Sequence, residues 1–186
     1  MIFQDMTQFL TDFADQSLIL PMALLIAVWL AVAEPRRTLV AWLLCCGFVL
    51  GTIGLLKLVL PCTPLVGMLR TPSGHTASAT LVAGGIFVLL AGPDRGWRGV
   101  AVLAGIAVGA GMGTTRLILG VHTLPEVIAG AVVGAIGVAA FACVPMRRPR
   151  RPPVLLIAAF AAVALLLHGT RLHAEAWIES MACRWS

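Results

Sequence analysis

Residues 71–92 read TPSGHTASATLVAGGIFVLLAG. The stretch opens on turn chemistry and a histidine, then runs apolar for most of a membrane thickness. Ser73 has the residue type and place of a helix N-cap, and Gly74 lets the backbone come close to a neighbour. The run after His75 therefore predicts a helix whose polar mouth carries an imidazole.

The rest of the chain decides what kind of helix this is. The protein has 186 residues, is 60% hydrophobic and 11% charged, and has a mean hydropathy of +0.99. A soluble domain carries roughly a quarter charged residues. Little of this surface could face water, so the chain reads as one integral membrane domain, 1–186, with the bilayer as its partner. The net charge of +5 is no nucleic-acid signal, because the basic residues sit in short loops between apolar runs. The start, MIFQDMTQFL, lacks a basic region ahead of an apolar one, so a cleaved signal peptide is not expected.

Apolar runs near 17–33, 38–60, 75–92, 99–119, 125–145 and 152–169 predict an all-α, six-helix transmembrane bundle. EPRR at 34–37, PCTP at 61–64, GPDRG at 92–96 and MRRPRRPP at 146–153 supply the breaks. Ahead of the first run, Phe3, Met6, Leu10 and Phe13 recur at helical spacing, with Gln4, Gln8, Thr11 and Asp15 on the other face. That pattern predicts a short amphipathic helix, either lying on the membrane or capping the bundle. Gly47 and Gly51, Gly105, Gly109 and Gly113, and Gly130 and Gly134 are spaced by four, which suits close helix packing, within the bundle rather than between copies.

With six spans, one side holds Arg36, Arg37, Arg95, Arg98, Arg147, Arg148, Arg150 and Arg151. The other holds Lys57, Arg70, Arg116, Arg171 and Arg184. The larger basic set belongs in the cytoplasm, which places both termini and TPSGHTAS on the outer, periplasmic side of an inner (plasma) membrane. Cys45, Cys46 and Cys143 fall in the spans as small hydrophobes. Cys62 and Cys183 fall outside, where a disulfide is permitted but two free thiols are the expectation. His168 and His173 read as interfacial.

Three segments meet on that outer side: KLVLPCTP at 57–64, TPSGH at 71–75 and TRLILGVHTLPE at 115–126. The helix mouth at Ser73 and Gly74 offers backbone donors to an anion. Lys57 and Arg116 add positive charge. Two histidines, His75 and His122, can serve as nucleophile and proton donor near neutral pH. Glu126 has two compatible readings: the last residue of a T-x-x-E capping box begun by Thr123, or a carboxylate that orients His122 four residues back. Such a set suits attack on a phosphate ester. There is no metal-ligand cluster such as H-E-x-x-H, and no cofactor is expected.

At these residues the chain resembles the type-2 phosphatidic acid phosphatase superfamily. That family's pattern is Lys, six spacers, Arg-Pro; then Pro-Ser-Gly-His; then Ser-Arg, five spacers, His, three spacers, Asp. Pro72, Ser73, Gly74 and His75 complete the second part, and Arg116 and His122 fit the third at the right spacing. Thr115 stands for Ser, Glu126 for Asp, and Pro64 where the first part has Arg, although Lys57 fits. The resemblance covers 57–126. It implies a metal-independent phosphoric monoester or diphosphate hydrolase in which His122 is the nucleophile, forming a phosphohistidine. Glu126 would orient His122, and His75 would act as acid and then base. Lys57, Arg116, Ser73 and Gly74 would hold the phosphate. Arg70 is expected either to replace the missing arginine or to contact headgroups. The expected substrate is a lipid phosphate or diphosphate: first a polyprenyl diphosphate, then phosphatidic acid, phosphatidylglycerol phosphate or a lipid A phosphate. A lipid phosphotransferase and a non-catalytic lipid-phosphate-binding or transport bundle are the alternatives.

Overall fold

The computed structural model describes residues 2–60, 71–146, 154–167 and 169–170. Among them there is helix and no strand. The order is α1 (Ile2–Thr11), a 3-10 turn at Asp12–Ala14, α2 (Gln16–Ala33), α3 (Arg36–Val59), α4 (Gly74–Ala91), α5 (Arg95–Ile118), α6 (Leu124–Ala142) and α7 (Val154–Leu167). Among the described residues five segments are long and apolar enough to cross a membrane: 6–33, 36–59, 74–91, 95–118 and 124–142. This is a multi-pass membrane protein. The first of the five is broken by the 3-10 turn, so the continuous helix α2 starts at Gln16. The sixth apolar run appears as α7, whose 14 described residues span about 21 Å.

Each break follows the local chemistry. Asp94 caps α5 by accepting from the Gly96 and Trp97 amides at 2.8 and 3.2 Å. Gly92, at φ +63°, ends α4 in a conformation that a Cβ disfavours. At the same end, the Arg98 side chain is buried and ties two helix ends together. Its Nε donates to the Gly92 carbonyl at 2.6 Å, and its Nη1 to the Ala142 and Val144 carbonyls at 3.2 and 2.7 Å. A guanidinium is suited to this because it offers several donors in one plane.

The core is built around α4, of which 72% is buried, against 22% for α3 and 28% for α5. α5 and α6 pack on it through glycines. A Cβ on Gly105 would lie 2.5 Å from the Gly84 Cα, and one on Gly109 would strike the Thr80 hydroxyl. A Cβ on Gly134 would lie 2.5 Å from the Ala77 carbonyl, and one on Gly130 would strike the Ser73 carbonyl. Without large side chains the backbones approach closely, as membrane helices do where small residues recur. Gly47 and Gly51 differ: nothing lies within 4 Å of a Cβ on either, so the expected packing role holds for the other glycines and not for these two. Trp42 fills the space beside Gly85 and stacks edge-on to Phe141, ring centres 5.0 Å apart, while its indole donates to the Ala23 carbonyl at 3.0 Å.

The N-terminal segment packs with its polar side inward. Thr7, Thr11, Asp12 and Asp15 are buried, whereas Met6, Phe9 and Leu10 are exposed. The exposed leucines, valines and isoleucines that stud α2, α3, α5 and α6 have the same sense. Apolar groups turn outward where acyl chains would be, and polar groups turn in.

Candidate active site

The ends of α3 and α5 and the starts of α2, α4 and α6 lie at one end of the bundle, and the charged and hydroxyl groups concentrate there. Lys57 in the last turn of α3, Ser73, His75, Thr76, Ser78, Thr115, His122 and Glu126 are all buried. Arg116 lies in the last turn of α5 and is half-buried. Arg36, Arg95 and Arg98 begin helices at the opposite end.

Glu126 organises this end. It sits in the first turn of α6, after Thr123 and beside Pro125, where a proline costs no hydrogen bond. One carboxylate oxygen, Oε2, accepts from the Thr123 amide at 2.9 Å and lies 3.2 Å from His122 Nδ1. The other, Oε1, accepts from the Thr71 amide at 3.0 Å. The Glu126 backbone carbonyl accepts from the Ser73 amide at 3.0 Å. The two readings of Glu126 made from sequence therefore coexist. The bond to Thr71 adds a third job: it fastens the Thr71–Ser73 strand of the loop onto α6.

Ser73 does what a cap does. It is fully buried, its Oγ accepts from the Thr76 amide at 3.3 Å, and the Thr76 hydroxyl donates to the same oxygen at 2.9 Å. With its amide on Glu126 and its hydroxyl on Thr76, Ser73 shapes the helix mouth. The amide of Gly74, next in line at the start of α4, takes part in no hydrogen bond among the described residues. Thr115, where the family pattern has Ser, donates back to the Met112 carbonyl at 2.7 Å, a bond that serine could also make.

His75 lies in the first turn of α4. Its Nε2 is 3.9 Å from Asp15 Oδ2, with both side chains buried. Asp15 was read from sequence only as part of the polar face of a short helix. The signal that could have singled it out is its place directly before an apolar run, two residues ahead of Ser17, where a carboxylate caps. It does cap: Oδ1 accepts from the Ser17 amide at 2.9 Å.

Arg70, Pro64, Cys62, Cys183, His168 and His173 lie outside the described residues. No group of three or more His, Cys, Asp or Glu side chains among the described residues is arranged to hold a metal ion.

The described residues form an all-helical bundle of membrane-crossing length whose buried polar groups, His75 and His122 among them, gather at one end. Residues 58–150 match the PAP2 superfamily, and the chain belongs to it. The matched stretch begins one residue past Lys57 and includes His75, Arg116, His122 and Glu126. Members of that superfamily are phosphatases. A relative from Klebsiella pneumoniae, described as an uncharacterized 22.5 kDa protein in the cps region, is 38% identical over 78 residues. That alignment covers 41% of this chain and 37% of the relative, so the chain spans little more than a third of the relative's length. No solved structure matches.

Proposed function

We propose that the protein is a membrane lipid phosphatase that cleaves a lipid phosphate or diphosphate through a phosphohistidine on His122. The observation that carries the reading is the buried His122–Glu126 pair, Nδ1 to Oε2 at 3.2 Å. A carboxylate at Nδ1 holds the proton there and leaves the lone pair on Nε2, the nitrogen that attacks. The same glutamate stabilises the positive charge that develops on the ring.

In the first step a bond forms between His122 Nε2 and phosphorus, and the bond from phosphorus to the lipid oxygen breaks. His75 gives its proton to that departing oxygen. The leaving group is a lipid alcohol when the substrate is a monoester and a lipid phosphate when it is a diphosphate. In the second step water attacks phosphorus, passes a proton to His75, and the nitrogen–phosphorus bond breaks to release inorganic phosphate. Lys57, Arg116 and the Gly74 amide hold the non-bridging oxygens, and Arg70 is a further candidate for that task.

The site lies at a helix-end level of the bundle, where a headgroup would sit while its tail stays among acyl chains. The arginines at the opposite helix ends support an outward-facing site on the plasma membrane, with six crossings and both chain ends outside. A polyprenyl diphosphate is the first substrate to try, followed by phosphatidic acid, phosphatidylglycerol phosphate and lipid A phosphates.

The test is phosphate release in detergent from that panel, with EDTA present, for wild type beside His122→Ala. Release by wild type and none by the variant is expected. Release only when a lipid acceptor is added would make the protein a phosphotransferase. No release from any lipid by folded wild type would leave a binding protein. Equal release by both proteins would refute His122 as nucleophile.

A further inference from the structure

We infer that Asp15 is a positioning residue for His75, so that each histidine of the site works with its own carboxylate. The inference rests on the phosphatase reading and extends it to a residue outside the motif region, 60 positions before His75 in sequence.

The geometry has three parts. Asp15 is 7% exposed and His75 6%, so both are held away from bulk solvent. The two Asp15 oxygens are divided: Oδ1 accepts from Ser17, and Oδ2 faces His75 Nε2 at 3.9 Å. At that separation the two groups face each other at more than hydrogen-bond length. The carboxylate is also fixed, because it caps α2 and therefore cannot swing away without uncapping the helix. Asp12, the other buried acid of the segment, takes a hydrogen bond from Gln8 Nε2 at 3.1 Å, so the two acids are differently employed.

The charge inventory explains why His75 would need such a partner. Lys57 and Arg116 bring two cations to this end of the bundle. A proton donor must carry its own positive charge among them. A carboxylate held beside the ring fixes the plane of the imidazole. Glu126 does the same for His122 at 3.2 Å. Two histidines with separate carboxylates can then hold different roles, one as nucleophile and one as acid. As an indirect partner, Asp15 touches neither phosphorus nor its oxygens.

The cap gives the experiment its controls. Asn and Ser are N-caps as good as Asp. Asp15→Asn keeps the cap and loses the charge, and Asp15→Ser keeps the cap but is too short to reach His75. Both are assayed in detergent with two substrates: a lipid phosphate, whose alkoxide leaves poorly without a proton, and a nitrophenyl phosphate, whose phenolate leaves unaided. A lost acid partner should lower kcat on the lipid phosphate by roughly ten- to a hundredfold, within the span that general acid catalysis supplies. The nitrophenolate burst, which reports the first step alone, should change by less than about threefold, because that step needs no acid. In a His75→Gln background, Asp15→Asn should add nothing further.

Equal losses in lipid phosphate cleavage and in the nitrophenolate burst, or no loss with either variant, would overturn the inference while leaving the phosphatase reading in place. An additive loss in the His75→Gln background would overturn it as well. No phosphate release by wild type from either substrate would overturn the phosphatase reading and this inference together.

Discussion

Replacing Gly130 by alanine tests the link between helix packing and the site. A Cβ there would collide with the Ser73 carbonyl oxygen and lie 3.2 Å from the Ser73 carbonyl carbon and 3.4 Å from its Cβ. The obstacle is backbone, so no rotamer change relieves it. α6 and the start of α4 must part, and the parting falls on the Ser73 amide bond to Glu126, on the Thr71 amide bond to the same residue, and on the distance from His122 to the helix mouth. Overpacking of this kind costs about 1–3 kcal/mol of stability. A shift of about 1 Å between reacting groups costs on the order of a hundredfold in rate. Activity should therefore fall further than stability: kcat/KM down by about ten- to a hundredfold, with a lowered but cooperative melting transition in detergent. Gly51→Ala is the control, because nothing lies within 4 Å of its Cβ. It should leave phosphate release unchanged and gain up to about 1 kcal/mol from helix propensity. If Gly130→Ala kept activity within twofold of wild type, the claim that this glycine sets the distance between the Pro72–His75 loop and α6 would be wrong.

Glu126→Asp restores the residue type of the family pattern yet should harm this protein. The glutamate reaches Thr71 at 3.0 Å and His122 at 3.2 Å at once, and a side chain one methylene shorter loses one of the two. We expect about 1–2 kcal/mol of lost stability and kcat/KM down by roughly tenfold. A rise in kcat/KM would show that Glu126 is held at the wrong distance and not at the right one. Arg98→Met should do the opposite. It strands three helix-end carbonyls at the far end of the bundle, so the melting temperature should drop, corresponding to about 2–4 kcal/mol. Phosphate release per folded molecule at low temperature should stay as in wild type, and a selective loss of kcat would contradict the separation of the two ends.

The sequence by itself determined the features that depend on near neighbours in the chain. Apolar length marked the membrane helices, because hydrocarbon admits little else. The mouth of α4 was readable from Pro72, Ser73 and Gly74, since a cap is a matter of a few consecutive residues. His122 and Glu126 were readable as a pair because they flank the N-cap Thr123, and the capping-box glutamate turns back over the start of α6. Even the choice between a capping box and an orienting carboxylate needed no decision, as one oxygen, Oε2, accepts from the Thr123 amide and faces His122 Nδ1 at once.

Tertiary structure alone decided the rest. Asp15 meets His75 only because the start of α2 packs against the start of α4, a contact between residues 60 apart that no local pattern encodes. Thr71 meets Glu126 across 55 positions for the same reason. The glycines show the limit most directly: spacing by four is identical at Gly47 and Gly51 and at Gly130 and Gly134, but only the second pair faces another helix. Sequence period fixes which residues share a face; which face a helix turns to its neighbour is set by the packing of all the helices together.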